Sequence, residues 1–299
     1  MATNLKPNDG KHGIMEVDGV CYLRLPIRTH LITEKDHICD VAQQYGSPLL
    51  QPGDVLFISE KCVACTQRRA IPMAEIKPRK LAYRLSAHVT KTPHGIGLGM
   101  PETMECALRE CGTLRILFAA FVSVIGKKLF HKKGWFYKIA GYKARSIDGP
   151  CHNTIPPYNH YVVLGPEKPD RVAAQIKDRI GFDVCIVDIN DLEGQILGVS
   201  SKSMDKRLYA RILKDNPLGQ DDQQTPMGII RRVDGPAQQA EAPDPEVEDP
   251  AAPEVGESAP NTEDLIDPEA EASITNAENA AAPETEHNGS TAENPEPRH

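Results

Sequence analysis

The chain has 299 residues with 34 Lys/Arg against 42 Asp/Glu, a formal charge of −8. That net figure conceals two parts. Residues 236–299 hold 17 of the acids, one Arg, no Lys, no Cys, no aromatic residue and 10 of the 25 prolines. Residues 1–235 are left with 33 basic and 25 acidic residues. The acidic tail has too little apolar surface to offset its chain entropy and is expected to be disordered. The most apolar run, 116–125, is too short for a bilayer span of ~20 residues, so no membrane segment is expected. The opening residues carry no charged-then-apolar leader, which excludes a secretory signal on this reading. Eight cysteines, all before residue 186 and mostly among aliphatic neighbours, suit reduced thiols in a cytoplasmic protein.

Along the body, 1–12 is polar and is expected to be a flexible N-terminus, with one domain over 13–235. Residues 20–28 alternate apolar and polar and predict a strand. Residues 33–45 carry Ile38, Val41, Ala42 and Tyr45 at helical spacing, with Thr33 as N-cap and Asp36 three residues on. A turn at 51–54 leads into a strand at 55–59. Residues 61–67 alternate as a strand would, which would point Cys62 and Cys65 to opposite faces. A structural zinc site needs four ligands, and the nearest second pair is Cys106 with Cys111, so neither zinc nor redox chemistry is read from this C-x-x-C.

Residues 92–101 form a glycine-rich loop containing Gly95, Gly97 and Gly99, followed by a helix with Pro101 in its first turn. Backbone amides of such a loop can cradle a phosphate. The Lys-Ser/Thr ending of a P-loop is absent, and close helix packing is the alternative. Residues 115–126 predict a buried helix. Residues 127–145 then interleave seven basic residues with Phe130, Trp135, Phe136, Tyr137 and Tyr142. This strip is short and no RNA-binding pattern surrounds it, so gripping a nucleotide or polyanionic small molecule explains it better than nucleic acid does. A helix is predicted over 169–180, a buried strand over 184–187, a helix over 205–213 and a last strand over 228–233. Strands and helices mix without a strict repeat, which predicts an α+β fold.

The densest chemistry follows the strand at 184–187. Asp188, Asn190, Asp191 and Glu193 precede Gly194. Oxygen ligands past a strand's carboxyl end suit Mg²⁺ or Mn²⁺, whereas an Asx-turn with solvated acids is the bland alternative.

GDVLFISEK (53–61), SIDGP (146–150), LGPEKPD (164–170), VCIVDINDLEG (184–194) and NPLGQDDQQTP (216–226), taken in order, resemble the coenzyme F420-0:γ-glutamyl ligase family over about 20–233. The resemblance implies a two-lobed α+β fold with a mixed sheet, a homodimer, and nucleotide-dependent amide formation with GTP (ATP not excluded). An acidic small molecule would be activated as an acyl phosphate and attacked by an amino acid, with Mg²⁺ or Mn²⁺ neutralising phosphate charge.

Carried over by position, Asp191 matches the family's metal-binding Asp, with Leu192 in place of its Thr. Asn159 matches a nucleotide-binding Asn, while Pro156 stands where the family has a second metal-binding Asp; Asp148 is the expected replacement, with Asp188 beside Asp191. In the phosphate loop Lys61 is retained, Glu60 replaces a Ser and Cys65 a Lys. Gly219-Gln220 matches a Gly-Gln near the family's C-terminus. The expected nucleotide-binding set is therefore Lys61, Arg69, Gly95, Gly97, Gly99, Asn159 and Gln220, and the metal set Asp191, Asp188 and Asp148. The alternative is a non-catalytic module that keeps the fold to bind a nucleotide or phosphometabolite.

Overall fold

Three of the six strands of the main sheet end on one side of it, where charged or turn-forming residues follow an apolar run. In the computed structural model, residues 5–89, 97–130, 135–152, 154–190, 194–219 and 222–233 are described, with backbone alone for 127–130. In chain order the elements are β1 (Ile14–Val17), β2 (Val20–Ile27), α1 (Ile38–Val41), β3 (Val55–Ser59), α2 (Glu60–Thr66), β4 (Ala70–Pro72) and α3 (Lys80–Ser86). Then come α4 (Pro101–Cys111), α5 (Thr113–Phe130), α6 (Trp135–Ala140), α7 (Tyr142–Arg145), β5 (Tyr161–Val163) and α8 (Pro169–Ile180). The last are β6 (Asp183–Ile189), β7 (Gly194–Val199), α9 (Lys206–Ile212) and β8 (Met227–Val233).

Six strands pair in the order β1-β2-β8-β3-β6-β7, and β4 pairs with β5 separately. Only β3 and β6 run parallel; the other pairs in the main sheet are antiparallel. The expected α+β mixed sheet is present. Alternation along β3 and β6 sends Leu56, Ile58, Val184 and Ile186 to one face, against α1, α2 and α8. Val55, Phe57, Cys185 and Val187 take the other face with Ile212 and Leu213 at the end of α9. A separate core built around Met104, Leu108, Ile116 and Ile147 holds the helices α3 to α7 together.

Three local expectations are corrected. Residues 60–66 are helix, not strand, so Cys62, Val63 and Cys65 all go inward, beneath the face of β3 and β6. The first helix begins at Ile38 and continues as a π-turn over Ala42–Gly46. Thr33 is bound instead to Asp36 in a local turn, through its N–H at 2.7 Å and its hydroxyl at 2.9 Å. The helix over 115–126 forms, but it is buried on one side only: Ile116 and Ala119 are fully covered while Phe118 and Phe121 are about 60% exposed (59% and 62%). Strands β1, β4, β5 and β7 and helices α3, α6 and α7, absent from the expectations, complete the set of named elements. Among the described residues no helix is long and apolar enough to cross a membrane. The tail, where disorder was expected, lies outside the described residues.

The segment before β8 is tied down by a buried cation. Arg24 on β2 is fully covered; it bonds Asp215, the carbonyl of His12, and the carbonyl of Ile212 at 3.1 Å. A buried guanidinium requires such satisfaction, and it fixes where the 216–226 segment starts. At the other edge, β7 lies directly on the start of α8. A Cβ on Gly198 would sit 2.3 Å from the carbonyl carbon of Pro169 and 2.5 Å from the amide nitrogen of Asp170, both backbone atoms that cannot turn away. Gly198→Ala is expected to cost about 1–3 kcal/mol, read as a lower urea midpoint with an unchanged slope.

Candidate active site at the carboxyl end of the sheet

The parallel pairing of β3 and β6 makes both strands end together, with Ser59 opposite Val187. Antiparallel β8 begins at that same end: Ile58 pairs with Met227, and Met227 with Ile27 at the end of β2. Four strand termini therefore share one rim, across roughly 15 Å at ~4.8 Å per strand. Chemistry-bearing residues leave the sheet at these termini because the apolar runs stop there.

Two carboxyl groups meet at the junction of β3 and β6. Glu60, the first residue of α2, is 6% exposed. Asp188 continues the inward face of Val184 and Ile186. Burial pushes the Glu60 carboxyl well above the usual carboxylate range, and the neighbouring charges of Asp188 and Asp148 push it further. Burial also raises Asp188, with Asp148 adding to the shift, while the hydrogen bond from Glu60 favours the Asp188 anion. Crowded carboxyl groups resist double ionisation, and the stronger upward push falls on Glu60. The Tyr142 hydroxyl, from α7, reaches the same Glu60 carboxyl at 3.1 Å. Burial and the adjacent Glu60 hold that phenol protonated.

Lys61 and Asp148 form an ion pair at 3.0 Å above this acid pair. Asp148 is held there by backbone: its N–H donates to the carbonyl of Val163 at 2.9 Å, and its carbonyl accepts from Val163 at 3.0 Å. The Asp148 carboxylate raises the Lys61 ammonium above its ordinary value, so Lys61 is a fixed cation. Three of the residues expected from the sequence, Lys61, Asp148 and Asp188, are thus brought together. Glu60, Tyr142 and Gln195 join them. Gln195 lies opposite Asp188 in the β6–β7 ladder and accepts from Arg145 at 2.7 Å.

The other expected residues are placed elsewhere. Arg69 is committed to protein groups: its Nε donates to the carbonyl of Gly165, and its two terminal nitrogens meet Glu167 at 3.2 Å and Glu110 at 2.9 Å. With Tyr142 and Gln195 it borders a cleft of about 370 Å³. Asn159 stands in a 3-10 turn after Pro157, and its Oδ1 is buried without a hydrogen-bond partner. Gly97 has a left-handed φ of +49° and lies against the Tyr137 hydroxyl, while the adjacent Leu98 is buried in the helical core with Met104 and Leu108. In its described part, which includes Gly99, the glycine loop packs against the helical core through Leu98. Gly95, Gln220 and Asp191 lie outside the described residues. The C-x-x-C thiols are inert by burial, which pushes Cys65 up to about 11 and Cys62 higher.

A second cleft, of about 480 Å³, opens at the β2 terminus of the same rim, between Lys6, Arg28, Gln44, Tyr45, Gln223 and Thr225. The segment from 216 is laced to β2 there: Thr29 donates its N–H to the carbonyl of Gln224 at 3.2 Å, and the Gln224 amide donates back to the carbonyl of Thr29 at 2.9 Å. Arg28 and Lys6 give this cleft two exposed cations. No sequence signal marked them, since Arg28 read only as a polar position in an alternating strand. Among the described residues no group of three or more His, Cys, Asp or Glu side chains is arranged to hold a metal ion.

The Glu60 proton gives a pH signature. Its folded-state pKa lies above the ordinary 4.5, so the stability it contributes is complete below that value and lost as pH rises through the folded pKa. Glu60→Gln, which cannot ionise, is expected to match the wild type near pH 4. It should be the more stable of the two at pH 8, in urea melts run with chelator present.

The model of the F420-0:Gamma-glutamyl ligase family matches residues 26–202, which takes in β2's last residues, α2, Asp148, Asn159, β6 and β7. Gln220 and β8 fall beyond the match. Among characterised proteins, the coenzyme F420:L-glutamate ligase of Methanopyrus kandleri (strain AV19) is 25% identical over 227 residues, covering 65% of this chain and 81% of that protein. With more than half of its length matched, including the strand ends that carry the acid pair, the chain belongs to the F420-0:Gamma-glutamyl ligase family.

Proposed function

We propose that the protein is a nucleotide- and divalent-metal-dependent amide ligase that joins an amino acid to an acidic small molecule. The observation that carries this reading is the rim where Glu60, Lys61, Asp148 and Asp188 converge, with Tyr142 and Gln195 leading from it into the cleft that Arg69 borders. In the proposed reaction a substrate carboxylate oxygen attacks the γ-phosphorus of GTP or ATP and the nucleoside diphosphate leaves. The amine of the amino acid then attacks the acyl carbon, inorganic phosphate leaves, and the amine gives up a proton. A second copy of the chain as partner belongs to the same reading.

The donor set fits a hard cation. Asp148 and Asp188 offer carboxylate oxygens, and the crowding that pushes Glu60 upward is relieved by a bound cation. Asp191, two residues past β6, completes the set in this assignment. Mg²⁺ or Mn²⁺ bound there would neutralise charge on the phosphates. Lys61, held in place by Asp148, supplies a fixed positive charge for a phosphoryl oxygen. Arg28 and Lys6 would meet the remaining phosphate or carboxylate charge. The buried, partnerless Oδ1 of Asn159 is an acceptor suited to an amino or hydroxyl group of the ligand.

Phosphate release from GTP or ATP by the full chain, with Mn²⁺, glutamate and a panel of small carboxylic acids, tests the proposal. Asp191→Asn and Lys61→Met are each expected to lower metal-dependent turnover on the order of 10²-fold with an unchanged circular dichroism spectrum. Wild-type turnover in Asp191→Asn would overturn the metal assignment. If Asp148→Asn is silent while Asp188→Asn is not, Asp148 serves Lys61 and not the metal. The engagement of Lys61 by Asp148 and the presence of Pro156 favour, as a second reading, a module that binds nucleotide without turning it over.

A further inference from the structure

The cleft at the end of β2 is bordered by a chain of three titratable groups that the proposed reaction does not use. Tyr45, from the π-turn after α1, lines the cleft together with Lys6 and Arg28. Its hydroxyl lies 2.8 Å from Nδ1 of His30, and Nε2 of the same ring lies 2.9 Å from Oδ1 of Asp36. The His30 backbone N–H donates to the Tyr45 hydroxyl as well, at 3.3 Å. Asp36 is fixed at the far end, where its Oδ2 accepts from the N–H and the hydroxyl of Thr33. Burial alone would raise the Asp36 carboxyl, but the bonds from Thr33 and His30 hold it below the ordinary carboxylate range. The loop between His30 and Asp36 is pinned by Tyr158, whose hydroxyl donates to the carbonyl of Ile32 at 2.7 Å. Cys62 of α2 and Tyr158 face Asp36 from the neighbouring elements, and burial keeps both protonated. Lys6 and Arg28 are the charged residues of the cleft itself, and among the described residues no Asp or Glu lines it. Leu5, Pro26, Ile27 and Leu49 give it apolar walls.

The bond to Asp36 decides the tautomer of His30. An ionised carboxylate only accepts, so Nε2 carries a proton, and in the neutral ring Nδ1 is a bare acceptor that takes the Tyr45 hydroxyl proton. The phenol oxygen is then left with only lone pairs to offer a ligand. When the ring takes up a second proton, Nδ1–H becomes the donor, and the Tyr45 hydroxyl proton is free to turn to the ligand. We propose that Asp36, His30 and Tyr45 form a proton-linked relay that tunes this cleft for a small organic anion with an apolar body. Binding draws one proton from solvent onto Nδ1 of His30, and Tyr45 then donates to the anion beside Arg28 and Lys6. Histidine is the side chain whose charge ordinarily changes between pH 5 and 8, which places the linkage in that range. The anion stabilises the imidazolium, so affinity rises as pH falls through the histidine range and is level on either side of it. His30 is a positioning residue here, acting on the ligand through Tyr45. The relay rests on the proposed role of Arg28 and Lys6 as cations that face a ligand, and on neither the nucleotide nor the metal.

The test is calorimetric titration of the full chain with benzene-1,3-disulfonate, whose charge is the same at every pH used. Titrations run at pH 6 and pH 8.5, each in two cationic buffers of different ionisation enthalpy, so that proton uptake is read directly. The wild type is expected to bind on the order of tenfold more tightly at pH 6 and to take up a proton between the two values. His30→Gln and Tyr45→Phe should each keep the circular dichroism spectrum, lose the proton uptake and bind alike at both pH values. Arg28→Met should bind roughly tenfold more weakly at both while keeping the pH dependence, which separates the fixed charge from the relay. Wild-type binding that ignores pH overturns the relay, and so does proton uptake that survives both His30→Gln and Tyr45→Phe. No binding at either pH also overturns it. The ligase reading is judged apart from all three, by metal-dependent phosphate release from GTP or ATP.

Discussion

The crowding of two carboxyl groups, Glu60 and Asp188, where two parallel strands end is the constraint around which the candidate site is built. Glu60 and Asp188 are brought together because β3 and β6 are parallel neighbours that stop side by side. The residue after β3 begins α2, and the last inward residue of β6 faces it. Burial and mutual repulsion make the second charge costly, and both carboxyl groups are pushed upward. The Lys61–Asp148 pair above them neutralises part of what remains.

The rest of the fold serves that rim. Antiparallel β8 enters the sheet between β2 and β3, so its first residue and the end of β2 lie on the same rim as the ends of β3 and β6. Arg24 anchors the start of that segment from beneath. The helical core contributes from the opposite side, through Tyr142 to Glu60 and Arg145 to Gln195. A ligand spanning from Arg28 to Asp188 would therefore touch both cores of the protein.

Much of this was legible in the sequence, and the failures have physical causes. The run at 184–187 read as a buried strand because nothing polar interrupts it, and the acids after it stood out for the same reason. Asp148, expected as a replacement ligand, is fixed by backbone pairing with Val163 and forms its ion pair with Lys61. Glu60 carried no role, because short alternation over 61–67 mimicked a strand and hid the helix whose first turn it occupies. Period alone does not separate a seven-residue helix from a strand when cysteines and alanine fill both patterns. Residues 115–126 were read as buried because they are apolar all round. Which face is covered depends on the partners of that helix, and no window of sequence contains them. The same limit hid Arg69, whose commitment to Gly165, Glu110 and Glu167 joins residues about 40 to 100 positions apart.

The claim at the centre of this account is that the rim takes a nucleotide together with a divalent cation. Calorimetric titration of the full chain with GTP and with ATP, each with and without Mn²⁺, tests it most directly. The account predicts that one nucleotide binds, that binding requires Mn²⁺, and that Asp188→Asn removes the metal requirement and most of the affinity. No heat from either nucleotide under either condition would contradict it, and binding that ignores both Mn²⁺ and Asp188 would place the nucleotide away from the acids.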